Sequence, residues 1–479
     1  MNMKILMASS EALPFAASGG LADVLGSLPA ALRKRVVGCR VVLPLYEDIA
    51  PELRDQMHFI GSLTVPVSWR QQYCGVFEAR CNGVIYYLLD NQYYFKRVGL
   101  YGHYDDAERF AFFSRAVLEM LPVIGYKPDI IHAHDWQAAL IPIYYHLFYS
   151  QNEWYQPIKM LYTIHNIQYQ GKYGLEILED VFGIPMSRAG IVEYDGCVNL
   201  MKGAIETANA VNTVSPTYAE ELQDAWFAYG LHDIIRAHAW KISGILNGID
   251  TDSYNPETDG KIYANYTAET VTTGKAENKR RLQEQLGLQQ RDVPLIGMVT
   301  RLTEQKGLDL LRFSAERLMN EHDVQFVLLG TGASEYESFF RGMQQKYPGR
   351  FCAYIGFVPE MSRKIYAAAD LFLMPSKSEP CGLAQMIALR YGTVPIVRAT
   401  GGLKDSVFDA DGENGNGYRF DSYNADDMYA SICRALACYG DRPRWDALVQ
   451  RAMASDNSWS SSAGAYMRLY RKMLTGEAN

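Results

Sequence analysis

The stretch Asp370-Leu-Phe-Leu-Met-Pro-Ser-Lys-Ser-Glu-Pro-Cys-Gly-Leu-Ala-Gln385 carries the pattern that decides the fold. Its apolar residues 371–374 predict a buried strand, and the small and polar residues after them lead into a helical run over 386–391. Such a turn is typical of a parallel α/β sheet and would place Glu379 and free backbone N–H groups at a crevice edge suited to an anionic, sugar-bearing ligand. A plain strand-to-helix turn fits the segment equally well, so residues elsewhere must decide.

Two successive series of strand and helix patterns surround this stretch. Because 479 residues exceed one core of usual size, we predict two parallel α/β domains, residues 1–243 and 244–457. A polar, turn-rich stretch over 252–273 and a polar helix predicted over 276–286 separate the series. Residues 458–479 are predicted to be helical and to pack back on the first domain. The strands are predicted at residues 4–9, 129–134, 159–164, 210–215, 295–299, 324–329, 351–355, 371–374 and 393–397.

Residues 59–95 interrupt the first series with short alternating runs. These runs predict hairpin strands at 64–69, 75–80 and 84–89. Their aromatic residues fit either a sugar-stacking surface or strand packing, and strand composition favours packing. The aromatic residues are Trp69, Tyr86, Tyr87, Tyr93, Tyr94 and Phe95.

The composition excludes several classes of partner. The formal net charge of −8 argues against a nucleic acid or an anionic membrane as partner. The sequence has no apolar run of about 18 residues that could span a membrane. Eight cysteines without a C-x-x-C pair favour reduced thiols, and the N-terminal segment has the pattern of a strand rather than a signal peptide. We therefore expect a cytoplasmic protein.

The sequence favours neither a cofactor nor a metal. Gly330 and Gly332 follow a predicted strand but lack the third glycine of the dinucleotide fingerprint, and no G-x-x-x-x-G-K-[ST] motif occurs. His132 and His134 would share one face of a strand, but no carboxylate cluster follows to complete a metal site.

Polar residues follow the strands of the first series. The glycine pair Gly19 and Gly20 forms a turn before a helical pattern, which fits a phosphate-binding loop or a simple chain reversal. Asp135 follows the strand at 129–134, where it can bond sugar hydroxyls. His165 follows the next strand and is either packed in the core or directed at a ligand.

Two cations bracket the first turn of the second series, Arg301 and Lys306. A departing diphosphate needs this combination, because a guanidinium fork and an ammonium stabilise the charge that grows as the bond breaks. The alternative is a solvated Arg and Lys at a helix start, although lysine there has the wrong sign for the helix dipole.

These segments together are similar to the motifs of one family. The segments are 18–24 (SGGLADV), 132–136 (HAHDW), 163–166 (TIHN), 246–250 (LNGID), 301–309 (RLTEQKGLD), 376–385 (SKSEPCGLAQ) and 400–405 (TGGLKD). On them the chain resembles the bacterial glycogen synthase and plant starch synthase family over essentially its full length. The resemblance implies an α/β fold with two Rossmann-like domains facing across a cleft, the GT-B arrangement. It also implies a retaining glucosyltransferase that moves glucose from ADP-glucose to the non-reducing end of an α-1,4-glucan such as glycogen.

The resemblance implies a role for each matching residue. Arg301 and Lys306 would hold the diphosphate, Glu379 the sugar, and His165 would sit over the glucose ring, which makes these four the catalytic set. Asp135 and Asn247 would bind the glucose hydroxyls, and Phe357 would stack on the adenine. The implied substrate-binding residues are Ser18, Gly19, Gly20, Asp135, Asn247, Phe357, Cys381, Gly382 and Leu383.

The mechanism that the charges favour is front-face attack by the acceptor hydroxyl. Departure of the nucleotide leaves an oxocarbenium-like sugar, and the leaving phosphate assists removal of the proton. No sequence can locate the carboxylate nucleophile that a double displacement needs.

Three positions depart from the family pattern. Ala17 stands where the family usually has lysine, Gln137 where histidine is common, and Ala384 where a hydroxyl residue is frequent. Loss of one charge-assisted contact costs roughly 1.5–3 kcal/mol, about 10–100-fold. UDP-glucose as donor therefore stays open, as do a weakly active glucan-binding or regulatory protein and a phosphorylase-like or other GT-B transferase.

Overall fold

A computed structural model gives the structure of residues 3–35 and 37–476. The chain divides into two compact units, one made of Met1–Asn247 with Trp459–Asn479 and the other of Gly248–Ser458.

The first unit is built on a nine-stranded sheet within the described residues, in the order β12-β11-β7-β6-β1-β2-β5-β4-β3. The strands of this unit, including the small sheet β8-β10-β9, are β1 (Lys4–Ala8), β2 (Gly38–Pro44), β3 (His58–Val67), β4 (Arg70–Cys81), β5 (Val84–Asp90), β6 (Ile130–His134), β7 (Lys159–Ile164), β8 (Lys172–Tyr173), β9 (Glu193–Tyr194), β10 (Cys197–Asn199), β11 (Ala210–Thr213) and β12 (Ile242–Gly244). Strands from β12 to β5 run parallel, and β3 and β4 are antiparallel, which confirms the predicted hairpin strands. The chain leaves β1 toward β2 and returns on the other side at β6, so the strand order reverses between β1 and β6.

The aromatic residues near these hairpins divide into two groups. Four of them, Tyr86, Tyr87, Tyr94 and Phe95, are buried, which confirms packing for those positions. The other two, Trp69 and Tyr93, are 71% and 60% exposed.

The second unit has a parallel sheet in the order β15-β14-β13-β16-β17-β18. Its strands are β13 (Leu295–Val299), β14 (Gln325–Gly330), β15 (Phe351–Ile355), β16 (Leu371–Met374), β17 (Val394–Arg398) and β18 (Tyr418–Phe420). The order reverses between β13 and β16, which places the carboxyl ends of these two strands at the position where open α/β sheets bind ligands.

Helices cover both sheets and supply most of the remaining core. They are α1 (Gly20–Lys34), α2 (Pro51–Arg54), α3 (Gln92–Phe95), α4 (Asp106–Val123), α5 (Leu140–Tyr144), α6 (Ile177–Asp180), α7 (Leu200–Thr207), α8 (Pro216–Glu221), α9 (His232–Ala237), α10 (Val271–Leu286), α11 (Leu308–Glu321), α12 (Ser334–Lys346), α13 (Pro359–Ala368), α14 (Ala384–Arg390), α15 (Gly401–Ser406), α16 (Ala425–Gly440), α17 (Arg442–Met453) and α18 (Trp459–Thr475). The last helix, α18, packs against α1 of the first unit. Among the described residues, no helix is both long and apolar enough to cross a membrane.

The sequence predicts a helix that begins at residue 276, but helix α10 begins at Val271. The reason is a buried contact in its first turns, where Lys275 Nζ donates to the carbonyls of Ala367 and Tyr391 at 3.1 and 3.2 Å and to Thr393 Oγ1 at 2.7 Å. Because Tyr391 directly follows α14, this lysine ties α10 and α13 to the helix that leaves the turn around Glu379.

Candidate active site

In the second unit, the turns after β13 and β16 bring Lys306 and Glu379 into contact. Lys306 Nζ lies 2.6 Å from Glu379 Oε2, and Ser376 Oγ donates to the same oxygen at 3.0 Å. Glu379 is 7% exposed, so its charge depends on these partners for stabilisation. No described residue donates to Glu379 Oε1, and Lys306 has two further ammonium protons, so both groups retain hydrogen-bonding capacity for a ligand.

Glycine at position 307 lets the turn of Lys306 lie against the end of β16. Gly307 has φ +70°, and a Cβ at this position would lie 1.9 Å from the carbonyl oxygen of Pro375. A left-handed backbone and this close approach both require glycine. The sequence therefore specifies the Lys306 and Glu379 contact partly through a residue that has no side chain.

The turn around Glu379 is supported by two glycines after β17. A Cβ on Gly401 would lie 2.0 Å from the carbonyl oxygen of Glu379, and one on Gly402 would lie 2.1 Å from that of Cys381. The Gly402 N–H donates to the Glu379 carbonyl at 3.2 Å. Backbone packed this closely fixes the main chain at Glu379, and Lys306 and Ser376 bind its carboxylate.

The predicted residues Cys381, Gly382 and Leu383 complete this turn before α14. Gly382 has φ +70°, and Gln385 Nε2 donates to the carbonyls of Cys381 and Gly382 at 3.1 and 2.9 Å. Cys381 is buried, whereas Gly382 and Leu383 are partly exposed. A ligand can therefore reach this turn at Gly382 and Leu383.

Arg301 and Phe357 follow β13 and β15 at the same sheet edge. Arg301 is exposed, and its guanidinium makes no hydrogen bond to the described residues. The turn that carries it packs on the end of β14, since a Cβ on Gly330 would lie 1.9 Å from the Thr300 carbonyl oxygen. The Phe357 side chain is 86% exposed. The edge thus offers a free cation and an open aromatic ring.

In the first unit, Asp135 and His165 meet at the ends of β6 and β7. Asp135 Oδ1 accepts from the backbone N–H groups of His165 and Asn166, at 2.7 and 3.4 Å. Asp135 itself has φ +57°, an uncommon conformation for a non-glycine residue. Burial raises the pKa of the Asp135 carboxyl to about 7, although these N–H groups favour its ionised form.

Three histidines line the same edge and are held uncharged. His165 Nε2 lies 2.9 Å from His134 Nδ1, and His132 Nδ1 lies 2.9 Å from the Tyr470 hydroxyl of α18. Burial lowers the pKa of His165 to about 3 and those of His132 and His134 well below their usual value. Neutral imidazoles can each donate one hydrogen bond and accept another.

The hydroxyl network fixes the tautomer of His132. The Thr163 hydroxyl donates to Asn212 Oδ1, so Thr163 Oγ1 must accept from His132 Nε2. His132 Nδ1 is then the acceptor for the Tyr470 hydroxyl. Both ring nitrogens of His132 are therefore used in hydrogen bonds within the fold.

The predicted turn at Ser18 and Gly19 is occupied by a carboxylate that the sequence analysis missed. Glu11 accepts from the Ser18 N–H at 2.5 Å, from Ser18 Oγ at 2.7 Å and from the Gly19 N–H at 3.2 Å. The Tyr101 hydroxyl also donates to Glu11, at 2.6 Å. Gly20 is the first residue of α1. The sequence signal that could have pointed to Glu11 was its position three residues after the end of β1.

Asn247 and the three positions that depart from the family pattern have distinct environments. Asn247 is buried, and no described residue donates to its Oδ1. Gln137 is also buried, with its Oε1 unpaired among the described residues. Ala17 is exposed beside the Ser18 turn, and Ala384 begins α14.

Comparison with known proteins gives one consistent result. A family model described as the starch synthase catalytic domain matches residues 4–237, and one described as glycosyl transferases group 1 matches residues 279–450. Glycogen synthases from Geobacillus thermodenitrificans and Geobacillus stearothermophilus are each 50% identical over 480 residues, covering 99% of this chain and 99% of the relative. A glycogen synthase from Bacillus cereus is 49% identical over 98% of this chain and 100% of its own length.

Solved structures agree with this assignment. The catalytic domain of starch synthase IV from Arabidopsis thaliana, bound to ADP and acarbose, superposes with a TM-score of 0.91 at 36% identity, covering 99% of this chain and 100% of that one. A sucrose-phosphate synthase from Thermosynechococcus elongatus has a TM-score of 0.60 at 18% identity, over 99% of this chain and 100% of its own, and shares the fold alone. The chain therefore belongs to the glycogen synthase and starch synthase family of glycosyltransferases and has its two-domain GT-B architecture.

Proposed function

We propose that this enzyme transfers glucose from ADP-glucose to the non-reducing end of an α-1,4-glucan, with retention of the α configuration. The observation that carries the proposal is the pair of Lys306 and Glu379 at the point where the strand order of the second sheet reverses. The exposed Arg301 follows β13, the strand that also leads to Lys306. The Arabidopsis relative was solved with ADP, which supports an adenine nucleotide as the donor's leaving group here. The cytoplasmic location inferred from the cysteine content is part of the same proposal.

Arg301 and Lys306 hold the diphosphate in this proposal. Lys306 donates one ammonium proton to Glu379, so two protons remain to donate to phosphate oxygens. The guanidinium of Arg301 presents a planar fork that matches two phosphate oxygens. Both cations stabilise negative charge that grows on the diphosphate as the glucose leaves, so they lower the barrier rather than only the donor KM.

The remaining predicted residues bind the nucleoside and the sugar. Phe357 stacks on the adenine, for which its open ring is suited. Glu379 Oε1 accepts from a glucose hydroxyl while Oε2 stays with Lys306 and Ser376. His165 and Asp135 act from the first unit as neutral donor and as hydroxyl acceptor.

Three further groups complete the assignment. Asn247 binds a glucose hydroxyl through the unpaired Oδ1. The turn of Cys381, Gly382 and Leu383 contacts the glucose and the phosphate, and in the first unit the turn of Ser18, Gly19 and Gly20 contacts the substrate.

The reaction proceeds at the front face of the sugar. The bond from C1 to the diphosphate oxygen breaks, and the acceptor O4 bonds to C1 from the face that the diphosphate leaves. The O4 proton passes to the departing phosphate oxygen, so atoms and charge balance without an enzyme base. The transition state has oxocarbenium character, as in glycoside cleavage. A glucosyl adduct on any side chain, found by intact-protein mass spectrometry, would contradict this route.

The direct test supplies labelled ADP-glucose or UDP-glucose with glycogen and measures incorporation. We expect incorporation from ADP-glucose to be the faster, and no incorporation from either donor would overturn the enzyme assignment. UDP-glucose is the second candidate donor, because Ala17 places no cation beside the Ser18 turn. Glucose 1-phosphate as an efficient donor would instead indicate a phosphorylase-like enzyme.

A further inference from the structure

The buried carboxylate of Glu11 joins two segments of the first unit that are distant in sequence. Its oxygens accept four hydrogen bonds, from the Ser18 N–H, Ser18 Oγ, the Gly19 N–H and the Tyr101 hydroxyl. Ser10 Oγ lies 2.7 Å from the Tyr101 hydroxyl and completes the cluster. Glu11 is 4% exposed, whereas Ser18 and Gly19 are exposed, so the buried carboxylate anchors an exposed turn.

This arrangement changes the function expected of the glycine turn. The N–H groups of Ser18 and Gly19 are already used by an internal carboxylate, and a phosphate placed beside that carboxylate would be repelled. The turn therefore suits an uncharged part of the substrate, which means the sugar.

Gly19 shows that the turn is open toward a ligand. Its φ is −167°, which any residue can adopt, and a Cβ at this position would meet no atom within 4 Å. The fold itself thus accepts a side chain at this position, and the exposed Gly19 backbone is accessible to a ligand.

We propose that Glu11 is a positioning residue that holds the backbone of Ser18 and Gly19 and the ring of Tyr101 as one rigid sugar-binding surface of the first unit, through hydrogen-bond geometry rather than through its charge. The inference rests on the proposed glucosyl transfer. It assigns Glu11 no contact with the reacting atoms.

Two conservative variants separate geometry from charge. In Glu11→Gln, the amide oxygen can keep both backbone N–H groups, and its NH₂ can donate to the two hydroxyls, which rotate to accept. In Glu11→Asp, the charge stays but the carboxylate is drawn back by about 1.5 Å. We expect Glu11→Gln to retain transfer to glycogen within about threefold and Glu11→Asp to lose roughly 10–100-fold.

Three measurements accompany the rates: the thermal midpoint, the Kd for ADP, and the rate of Glu52→Gln, an exposed glutamate of the same unit used as control. The Kd for ADP should stay unchanged in both Glu11 variants, because the proposed diphosphate site lies in the second unit. A parallel loss of ADP affinity would indicate a global defect and contradict a positioning role.

The order of the two variants decides the proposal. A Glu11→Gln enzyme slower than Glu11→Asp would show that charge matters, and wild-type rates in both would show that Glu11 has no role. If Glu11→Asp does not fold, Tyr101→Phe takes its place, with an expected loss of roughly 2–10-fold from one missing hydrogen bond; an unchanged rate there would overturn the proposal. Absence of transfer by the wild-type enzyme would instead refute the proposed function.

Discussion

Lys306 Nζ lies 2.6 Å from Glu379 Oε2, and the two residues belong to turns that follow neighbouring strands of the second sheet. The contact joins positions that are 73 residues apart in the chain. The tightly packed turns at Gly307 and Gly401 hold this contact, so the fold itself positions the cation. Preorganised charge of this kind costs no rearrangement at the moment of reaction.

Replacing Arg301 by alanine should lower kcat/KM for the donor by roughly 10–100-fold, because one charge-assisted contact to the diphosphate is lost. Its guanidinium supports no described side chain, so the thermal midpoint should not change. Steady-state kinetics with varied ADP-glucose check the first expectation. Arg312→Ala, an exposed arginine of α11, is the matched control. Equal rates in both variants would contradict the assigned role of Arg301.

Replacing Gly307 by alanine should destabilise the protein by at least about 2 kcal/mol, since the left-handed backbone and the Pro375 carbonyl both exclude a Cβ. Gly342 provides the control, because it lies in α12 with nothing within 4 Å of a built Cβ. Gly342→Ala should raise stability by roughly 0.5–1 kcal/mol. Denaturant unfolding compares the two, and similar changes in both would refute the steric argument.

Replacing Lys275 by methionine should lower the free energy of unfolding by roughly 2–4 kcal/mol, because the buried carbonyl and hydroxyl groups around its ammonium lose their donor. Lys261→Met removes an exposed lysine of the same unit and should change stability by less than about 0.5 kcal/mol. Chemical denaturation of both variants tests this difference. A Lys275→Met protein as stable as Lys261→Met would show that the buried lysine is dispensable.

Acid should destabilise the first unit through its neutral histidines. The pKa of His132 is lowered in the folded state. Below the unfolded pKa of about 6.5, the unfolded chain therefore binds a proton at His132 that the folded chain does not bind. The stabilisation is therefore complete above pH 6.5 and is lost as the pH falls toward the folded pKa. Each such histidine contributes a slope of about 1.4 kcal/mol per pH unit in that range.

His132→Gln offers the comparison, since glutamine can donate and accept but does not titrate. Unfolding free energies measured between pH 7.5 and 5 should fall less steeply for the variant than for the wild type. Parallel slopes would show that His132 does not contribute to acid sensitivity.

The sequence allowed the position of Glu379, Arg301 and Lys306 at one sheet edge to be predicted, because these residues follow strands directly. Glu379 lies in the turn after an apolar strand, and Arg301 and Lys306 flank the turn after another, so parallel pairing alone brings them to one edge. What the pattern did not contain was the contact itself, which depends on Gly307 and on the glycines at 401 and 402.

The first unit was harder to predict because its key contacts span long distances in sequence. Glu11 and Tyr101 are 90 residues apart, and the loop that carries Tyr101 has no period that fixes its direction. The pairing of Ser18 with Glu11 likewise follows from a turn geometry that a two-glycine motif does not specify. The start of α10 at Val271 was missed because a buried lysine, which tertiary contacts satisfy, resembles a surface residue in sequence.

In the proposed reaction, glucose moves from ADP-glucose to glycogen at the site formed around Lys306 and Glu379. Initial rates of labelled glucose incorporation into glycogen from ADP-glucose, compared among the wild type, Lys306→Ala and Glu379→Ala, test this claim. We expect rapid incorporation by the wild type and a loss of at least roughly 10–100-fold in each variant. No incorporation by the wild type, or wild-type rates in both variants, would contradict the claim.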